Sequence, residues 1–137
     1  MILMKKAIRA VIVAVAVCLS AVSCSKTASN TLALLGSWEL IRSDVSTGNV
    51  TETFYPEYLT VFQFNSHDEY VITEASSSGS QTTTGRWYVE GDSLTITLPG
   101  GGHRTFRIEE THLTRMVLSE IEGNTVYRHT FKYMSVK

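Results

Sequence analysis

Cysteine is scarce in this sequence, which has only Cys18 and Cys24, and Cys18 lies inside an apolar N-terminal run. If processing removes that run, one cysteine remains and no disulfide can form within the mature chain, so its stability must come from the core. Basic charge is also limited, with 12 Lys and Arg against 13 Asp and Glu and a net charge of −1. Because the basic residues are scattered, the sequence excludes an extended nucleic-acid-binding surface.

The N-terminus has the pattern of a secretion signal. A basic head over residues 5–9 precedes the uncharged stretch 10–23, which ends in small side chains. As a helix this stretch would reach about 21 Å, short of the ~30 Å of hydrocarbon that a membrane-spanning helix crosses. We therefore predict a signal peptide over residues 1–23, a flexible polar tether over residues 24–33 and a single domain over residues 34–137.

Within the predicted domain, apolar residues recur at every second position, and β-branched and aromatic residues are abundant, which indicates strands. The glycines of "EGD" (90–92) and "EGN" (122–124) provide the positive φ that tight hairpins require. The longest predicted connection is Ser46–Pro56, and a helical turn is expected only near Thr31–Leu35. Eight strands are predicted, at Gly36–Val45, Tyr58–Asn65, Glu69–Glu74, Gln81–Glu90, Ser93–Leu98, Arg104–Glu109, Leu113–Ile121 and Thr125–Met134.

Eight short strands with mostly hairpin-length links favour an all-β fold, an eight-stranded antiparallel up-and-down barrel, because closure removes exposed sheet edges. A β-sandwich has the same local pattern and is the alternative. Inward-facing aromatic side chains would either fill the barrel or, if it flares at one end, line a cup for an apolar ligand. Alternation places inside Trp38, Leu40, Phe62, Phe64, Tyr70, Ile72, Trp87, Val89, Leu94, Ile96, Leu98, Phe106, Ile108, Tyr127 and Phe131.

Four quoted segments, "LLGSWEL", "VFQFNSHDEY", "GRWYVEGDSLTITL" and "TVYRHTFKY", resemble the small lipocalin-like lipoproteins of Bacteroidetes. The similarity extends from about Leu34 to Tyr133. In lipocalins the tryptophan of a G-x-W motif seals the barrel floor, and an arginine near the end of the last strand stacks on its indole. The resemblance thus implies that Trp38 closes the floor and that Arg128 stacks on Trp38. The small, flexible Gly36 beside Trp38 predicts that another segment crosses close to it.

The junction "AVSC" resembles the lipobox of bacterial lipoproteins, which implies that Cys24 carries the lipid anchor, including palmitate or a similar acyl chain. A soluble secreted protein cleaved near Ser23 is the alternative. The resemblance implies a location in the cell envelope, anchored to the outer membrane and on its periplasmic face.

These expectations favour a membrane-anchored binding protein for a small apolar or amphipathic molecule. The residues expected to contact the ligand are Trp38, Phe62, Phe64, Tyr70, Trp87, Tyr127 and Phe131. The alternative is a barrel lipoprotein that interacts with a protein, or inhibits a hydrolase, through loops that include Ser46–Pro56.

Enzymatic motifs are missing from the sequence, and neither a cofactor nor a metal is expected. His67, His103, His112 and His129 do not have the spacing of a strong zinc signal. The loop "GGGHR" at Gly100–Arg104 is followed by a strand, whereas a phosphate-binding loop requires a helix N-terminus.

Overall fold

The computed structural model describes residues 26–134. The predictions of a signal peptide over residues 1–23 and of lipid attachment at Cys24 fall outside these residues. No helix among the described residues has the length and apolar character needed to cross a membrane.

One antiparallel sheet accounts for nearly all of the described chain. A helix, α1 (26–34), precedes nine strands, and β1 pairs with β9 so that the sheet closes on itself. Eight strands form the wall and β2 is an addition, so the predicted eight-stranded barrel is confirmed and the sandwich alternative is wrong. The strands are β1 (Gly36–Thr47), β2 (Val50–Phe54), β3 (Thr60–Phe64), β4 (Glu69–Ser76), β5 (Gly79–Glu90), β6 (Ser93–Thr97), β7 (His103–Thr111), β8 (Arg115–Glu122) and β9 (Thr125–Met134).

The extra strand β2 lies where the sequence predicts a long connection. In β1, only residues Gly36–Glu39 pair with β3. The second half of β1 pairs with β2, from Ser43↔Phe54 to Thr47↔Val50. Gly48 makes the turn with φ +60°. The polar composition of this segment does not indicate a strand. The strand β2 forms because the second half of β1, which β3 leaves unpaired, provides a partner for it.

Helix α1 covers residues 26–33 of the predicted flexible tether (24–33), so this described part of the tether is helical. Its N-terminal part is fixed to the β5–β6 turn, where Asn30 Nδ2 donates to the Gly91 carbonyl at 2.7 Å and Lys26 Nζ pairs with Asp92 Oδ2 at 2.6 Å. At its C-terminal end, Leu34 is fully buried and its carbonyl accepts a hydrogen bond from Trp38 Nε1 at 2.9 Å. The helical turn expected near Thr31–Leu35 is the C-terminal part of this helix. The partners of Lys26 and Asn30 lie more than 60 residues along the chain, so local composition does not indicate the N-terminal part.

Gly36 begins β1 with φ +117°, a conformation that other residues rarely adopt. A Cβ at this position would lie 2.7 Å from Cε2 of Tyr133 on β9. The Tyr133 ring in turn packs edge-on against Trp38, with ring centroids 5.2 Å apart. The close crossing predicted beside Gly36 is therefore confirmed, and the segment that crosses is the end of β9.

The barrel core is packed with the predicted inward side chains. Trp38, Phe64 and Tyr70 are at most 2% exposed, and the aromatic rings contact one another across the interior. Leu98 was predicted to face inward but is exposed, because β6 ends at Thr97; Leu40 and Tyr127 are half-buried. The core also contains Leu34, Met116 and Leu118, which the predicted inward set lacks.

Candidate functional site

The inner face of the barrel changes from apolar to polar at one level on three neighbouring strands. On β7 the inward positions change from Phe106 to Arg104, and on β8 from Leu118 to Glu120. On β9, Phe131 is followed toward the same end by His129. This end is called the mouth here, and the end that contains Trp38 is called the floor.

A β-bulge in β1 brings a fourth strand into this polar group. Leu40 pairs with Phe131 and Arg42 pairs with Thr130, so Ile41 is an extra residue that shifts the alternation. Beyond the bulge, Ser43 lies opposite His129 on the inner face. Without the bulge, Ser43 would point outward.

These four side chains form a continuous hydrogen-bonded chain. Arg104 donates to Glu120 from Nε to Oε2 at 2.7 Å and from Nη2 to Oε1 at 2.6 Å. His129 Nε2 lies 3.3 Å from Glu120 Oε1, and His129 Nδ1 lies 2.9 Å from Ser43 Oγ. We call this group the mouth network. The paired geometry of Arg104 and Glu120 is that of a strong, oriented ion pair.

The electrostatics of the mouth network favour charged Arg104 and Glu120. Burial opposes ionisation of Glu120, but hydrogen bonds from Arg104 and His129 outweigh it and lower the pKa of Glu120 to about 2. The hydrogen bond to Glu120 raises the pKa of Arg104 above its usual value, despite partial burial. The Arg104 guanidinium also lies 4.8 Å from the centroid of the Phe106 ring, which fixes its orientation further.

A cleft of about 720 Å³ opens at the mouth beside this network. Its size is within the range of small-molecule sites. The surface combines charged, aromatic and aliphatic side chains, so it can meet both parts of an amphipathic molecule. The lining residues are His103, Arg104, Thr105, Glu120, Ile121, Glu122, Tyr127 and His129.

A second cleft of about 610 Å³ lies at the floor, between α1 and the turn that joins β7 to β8. Exposed Leu32 and Leu113 are part of its lining, together with Tyr133 and the largely covered Trp38. No charged pair of the kind found at the mouth is among its lining residues.

The predicted ligand contacts divide between the core and the mouth. Tyr127 lines the mouth cleft and stacks near His129, with ring centroids 6.4 Å apart. The other six belong to the packed core and do not line the mouth cleft; they are Trp38, Phe62, Phe64, Tyr70, Trp87 and Phe131.

The predicted stacking of Arg128 on Trp38 is wrong. Trp38 lies opposite Tyr133, whereas Arg128 lies opposite Asp44, five residues away along β9 or about 17 Å. Arg128 is exposed on the outer face, because Tyr127 and His129 occupy the inward positions on either side of it. Tyr133 therefore covers the indole in place of the arginine.

The four histidines lie on different parts of the barrel. His129 belongs to the mouth network, His103 begins β7, and His112 Nε2 lies 2.8 Å from Glu110 Oε1 on the outer surface. Within residues 26–134, no three His, Cys, Asp or Glu side chains are grouped as metal ligands.

Sequence reasoning did not identify Ser43, Arg104, Glu120 or His129 as one site. Three of them stand two residues from an inward apolar residue, which is a signal that strict alternation could have used. Ser43 has no such signal because the β1 bulge changes its face.

Comparisons with known proteins agree with this architecture. The family model described as "Lipocalin-like domain" matches residues 34–118. A lipocalin-like protein from Bacteroides uniformis ATCC 8492 has a TM-score of 0.57 and 18% identity, over 74% of this chain and 99% of that chain. An uncharacterised protein from Bacteroides eggerthii DSM 20697 has a TM-score of 0.56 and 17% identity over the same shares. No curated protein sequence matches significantly. Because the family model covers more than half of the sequence, this chain belongs to the family of lipocalin-like domain proteins.

Proposed function

We propose that this chain is a lipid-anchored binding protein of the cell envelope that holds one small amphipathic molecule at the mouth of its barrel. The lipocalin-like barrel suggests a binding protein, and members of this family are typically binding proteins rather than enzymes. The single observation that supports the position of the site is the mouth cleft of about 720 Å³ beside the mouth network.

The packing of the barrel favours the mouth over the interior as the binding site. Phe64 and Phe131 are at most 2% exposed, so the floor half is occupied by protein side chains. At the mouth, Tyr127 and His129 are only half-buried and both line the cleft. The apolar part of a ligand would lie against Tyr127 and Ile121, and its polar part would meet the mouth network.

Binding can be tested with the mature chain, residues 24–137, and a fluorescent fatty acid. We expect saturable binding at a single site, and displacement by unlabelled amphipathic molecules. Tyr127→Ala should weaken the affinity at least about tenfold, because it removes an aromatic wall of the cleft. Tyr88→Ala is the matched control, since Tyr88 is exposed on β5 and does not line the cleft.

Two results would contradict a ligand at the mouth. One is the failure of the fluorescent fatty acid to bind, together with native mass spectra that show only the unliganded chain after incubation with a broad set of lipids. The other is equal loss of affinity in Tyr127→Ala and Tyr88→Ala, which would place the probe elsewhere.

The anchoring part of the proposal is supported by the apolar run at residues 10–23 and by Cys24 directly after it. Metabolic labelling with a palmitate analogue should mark the wild-type chain, and Cys24→Ser should abolish the label. Cys18→Ser is the control and should retain it. A free thiol on Cys24 of the mature chain would refute the anchor, and fractionation of the labelled protein would test the outer-membrane location.

The alternative function, binding of a protein partner, is favoured by one feature beside the mouth. Phe54, Tyr55 and Tyr58 are exposed apolar residues within and after β2. Cross-linking in envelope membranes, with wild type and a Phe54→Ser/Tyr55→Ser variant, distinguishes the two functions. Loss of a specific cross-linked species with unchanged probe binding would favour the protein partner.

A further inference from the structure

The barrel wall is interrupted at one seam near the mouth. β7 and β8 pair from Arg107↔Ser119 to Thr111↔Met116, although β7 begins at His103 and β8 continues to Glu122. In the described chain, residues 103–106 and 120–122 therefore face each other without a backbone ladder. We call this part of the wall the β7–β8 seam.

Three neighbouring seams are paired up to the mouth. The β8–β9 ladder continues to Glu122↔Thr125, and the β1–β9 ladder continues to Thr47↔Thr125. The β6–β7 ladder ends at Thr97↔His103, the first residue of β7. The β7–β8 seam thus differs from the ladders on both of its sides.

The β5–β6 ladder also stops short of the mouth, at Trp87↔Ile96, but a buried side chain closes that seam. Tyr70 is fully buried and its hydroxyl donates to the Thr97 carbonyl. The ring passes over Gly85, where a Cβ would lie 2.8 Å from Tyr70 Cε1. Opening this seam would require displacement of a core residue.

The β7–β8 seam is bridged by side chains at its surface. The Arg104–Glu120 ion pair spans it, and the side chain of Arg104 is 41% exposed. Opening this part of the wall would separate one ion pair, with its two hydrogen bonds, and would break no ladder hydrogen bond.

Clefts lie on both sides of the seam and share lining residues. The mouth cleft includes the outward-facing Thr105 and Ile121. An outer cleft of about 250 Å³ includes the same two residues, shares Glu120 with the mouth cleft and also includes the inward-facing Phe106. Because Thr105, Glu120 and Ile121 line both clefts, the two clefts adjoin each other at the seam.

We propose that the β7–β8 seam is the entrance for the ligand and that the Arg104–Glu120 ion pair is its latch. This proposal rests on the proposed binding function. An amphipathic molecule enters sideways: its apolar part passes the exposed Ile121 to reach Tyr127 in the mouth cleft, and its polar part exchanges with water around the ion pair. The entrance needs no movement of the floor or of the continuous ladders.

A cross-link over the seam tests the proposal. In the mature chain with Cys24→Ser, the pair Thr105→Cys/Ile121→Cys is oxidised, or joined by a short bismaleimide if the gap exceeds disulfide length. We expect at least a tenfold decrease in both the association and dissociation rates of the fluorescent fatty acid, with an affinity within about threefold of the uncross-linked form. Reduction of the disulfide should restore both rates.

The matched control is Ser46→Cys/Val126→Cys, which places a cross-link near the mouth on the continuous β1–β9 ladder. It should leave both rates unchanged. Glu120→Gln should have the opposite effect to the seam cross-link and raise both rates several-fold, because a neutral amide holds Arg104 less strongly.

The outcomes separate this proposal from the proposed function. If the seam-cross-linked protein binds the probe at the rate of the reduced form, the seam is not the entrance, although the protein remains a binding protein. If the control cross-link slows binding equally, the whole mouth must flex and the seam proposal is wrong. If the wild-type chain binds no probe, the binding function fails and the seam proposal fails with it.

Discussion

The floor and the mouth of this barrel are built from the same strands but are stabilised differently. At the floor, Trp38, Leu34 and Tyr133 pack together, and the indole N–H is satisfied by a helix carbonyl. At the mouth, Arg104 and Glu120 take the corresponding inner positions and are satisfied by each other. One end therefore depends on apolar burial and the other on charge pairing.

This difference predicts which substitutions affect stability and which affect ligand binding. Burial of large side chains contributes kilocalories per residue, whereas a partly exposed ion pair contributes about 1 kcal/mol or less. We therefore expect substitutions at the floor to affect the stability of the fold, and substitutions at the mouth to affect ligands more than folding.

The largest expected effect is at Trp38. Trp38→Ala should lower the free energy of unfolding by about 4 kcal/mol, because it leaves a cavity at the floor and an unpaired Leu34 carbonyl. Urea denaturation of the mature chain measures this loss. Trp38→Phe keeps much of the packing and should cost about half as much.

A substitution of an aromatic residue at the mouth provides the comparison with Trp38→Ala. Tyr127→Ala should cost less than about 1 kcal/mol, because Tyr127 is half-buried beside a cleft. Equal losses in Trp38→Ala and Tyr127→Ala would show that the two ends do not differ as described.

A smaller effect is expected at Gly36. Gly36→Ala should cost about 2 kcal/mol, since it combines an unfavourable positive φ with a contact against the Tyr133 ring. Gly79→Ala is the control, because Gly79 also has a large positive φ (+131°) but has nothing within 4 Å of an added Cβ. It should cost about 1 kcal/mol, and thermal or urea unfolding of the two variants would measure the part due to the crossing of β9. No difference between them would mean that Tyr133 moves aside freely.

A small effect that depends on pH is expected at Glu120. The pKa of Glu120 is lowered from 4.5 to about 2 in the folded protein, so its stabilising contribution is complete above about pH 4.5 and is lost as the pH falls toward 2. Glu120→Gln should therefore reduce stability by about 1 kcal/mol at pH 7 and by almost nothing near pH 2. Urea unfolding at both pH values tests this, with Glu90→Gln, an exposed residue on β5, as the control. A difference that persists at pH 2 would show that the loss comes from packing instead of charge.

The fold was largely predictable from the sequence because its signals are local. The hairpin glycines Gly91 and Gly123 have φ +59° and +60°, as their motifs require. The two-residue periodicity placed thirteen of the fifteen predicted inward side chains in the core or packed against it. The predicted strands differ from the observed ones mainly at their ends, as with β3, which begins at Thr60 instead of Tyr58.

The candidate site was less predictable because it depends on register. Ser43 faces His129 only because of the bulge at Ile41, and a bulge is defined by the pairing of two strands distant in sequence. Arg128 matched the family pattern but lies on the outer face, and Tyr133 takes the place beside Trp38.

The sequence by itself determined that the chain forms an antiparallel barrel, since alternation and turn residues act over only a few neighbouring positions. Tertiary structure decided which side chains meet at the two ends, where the wall is left unpaired and that residues 26–34 form a helix. Those outcomes depend on contacts between segments far apart along the chain, and a local pattern contains no information about the strand register that creates them.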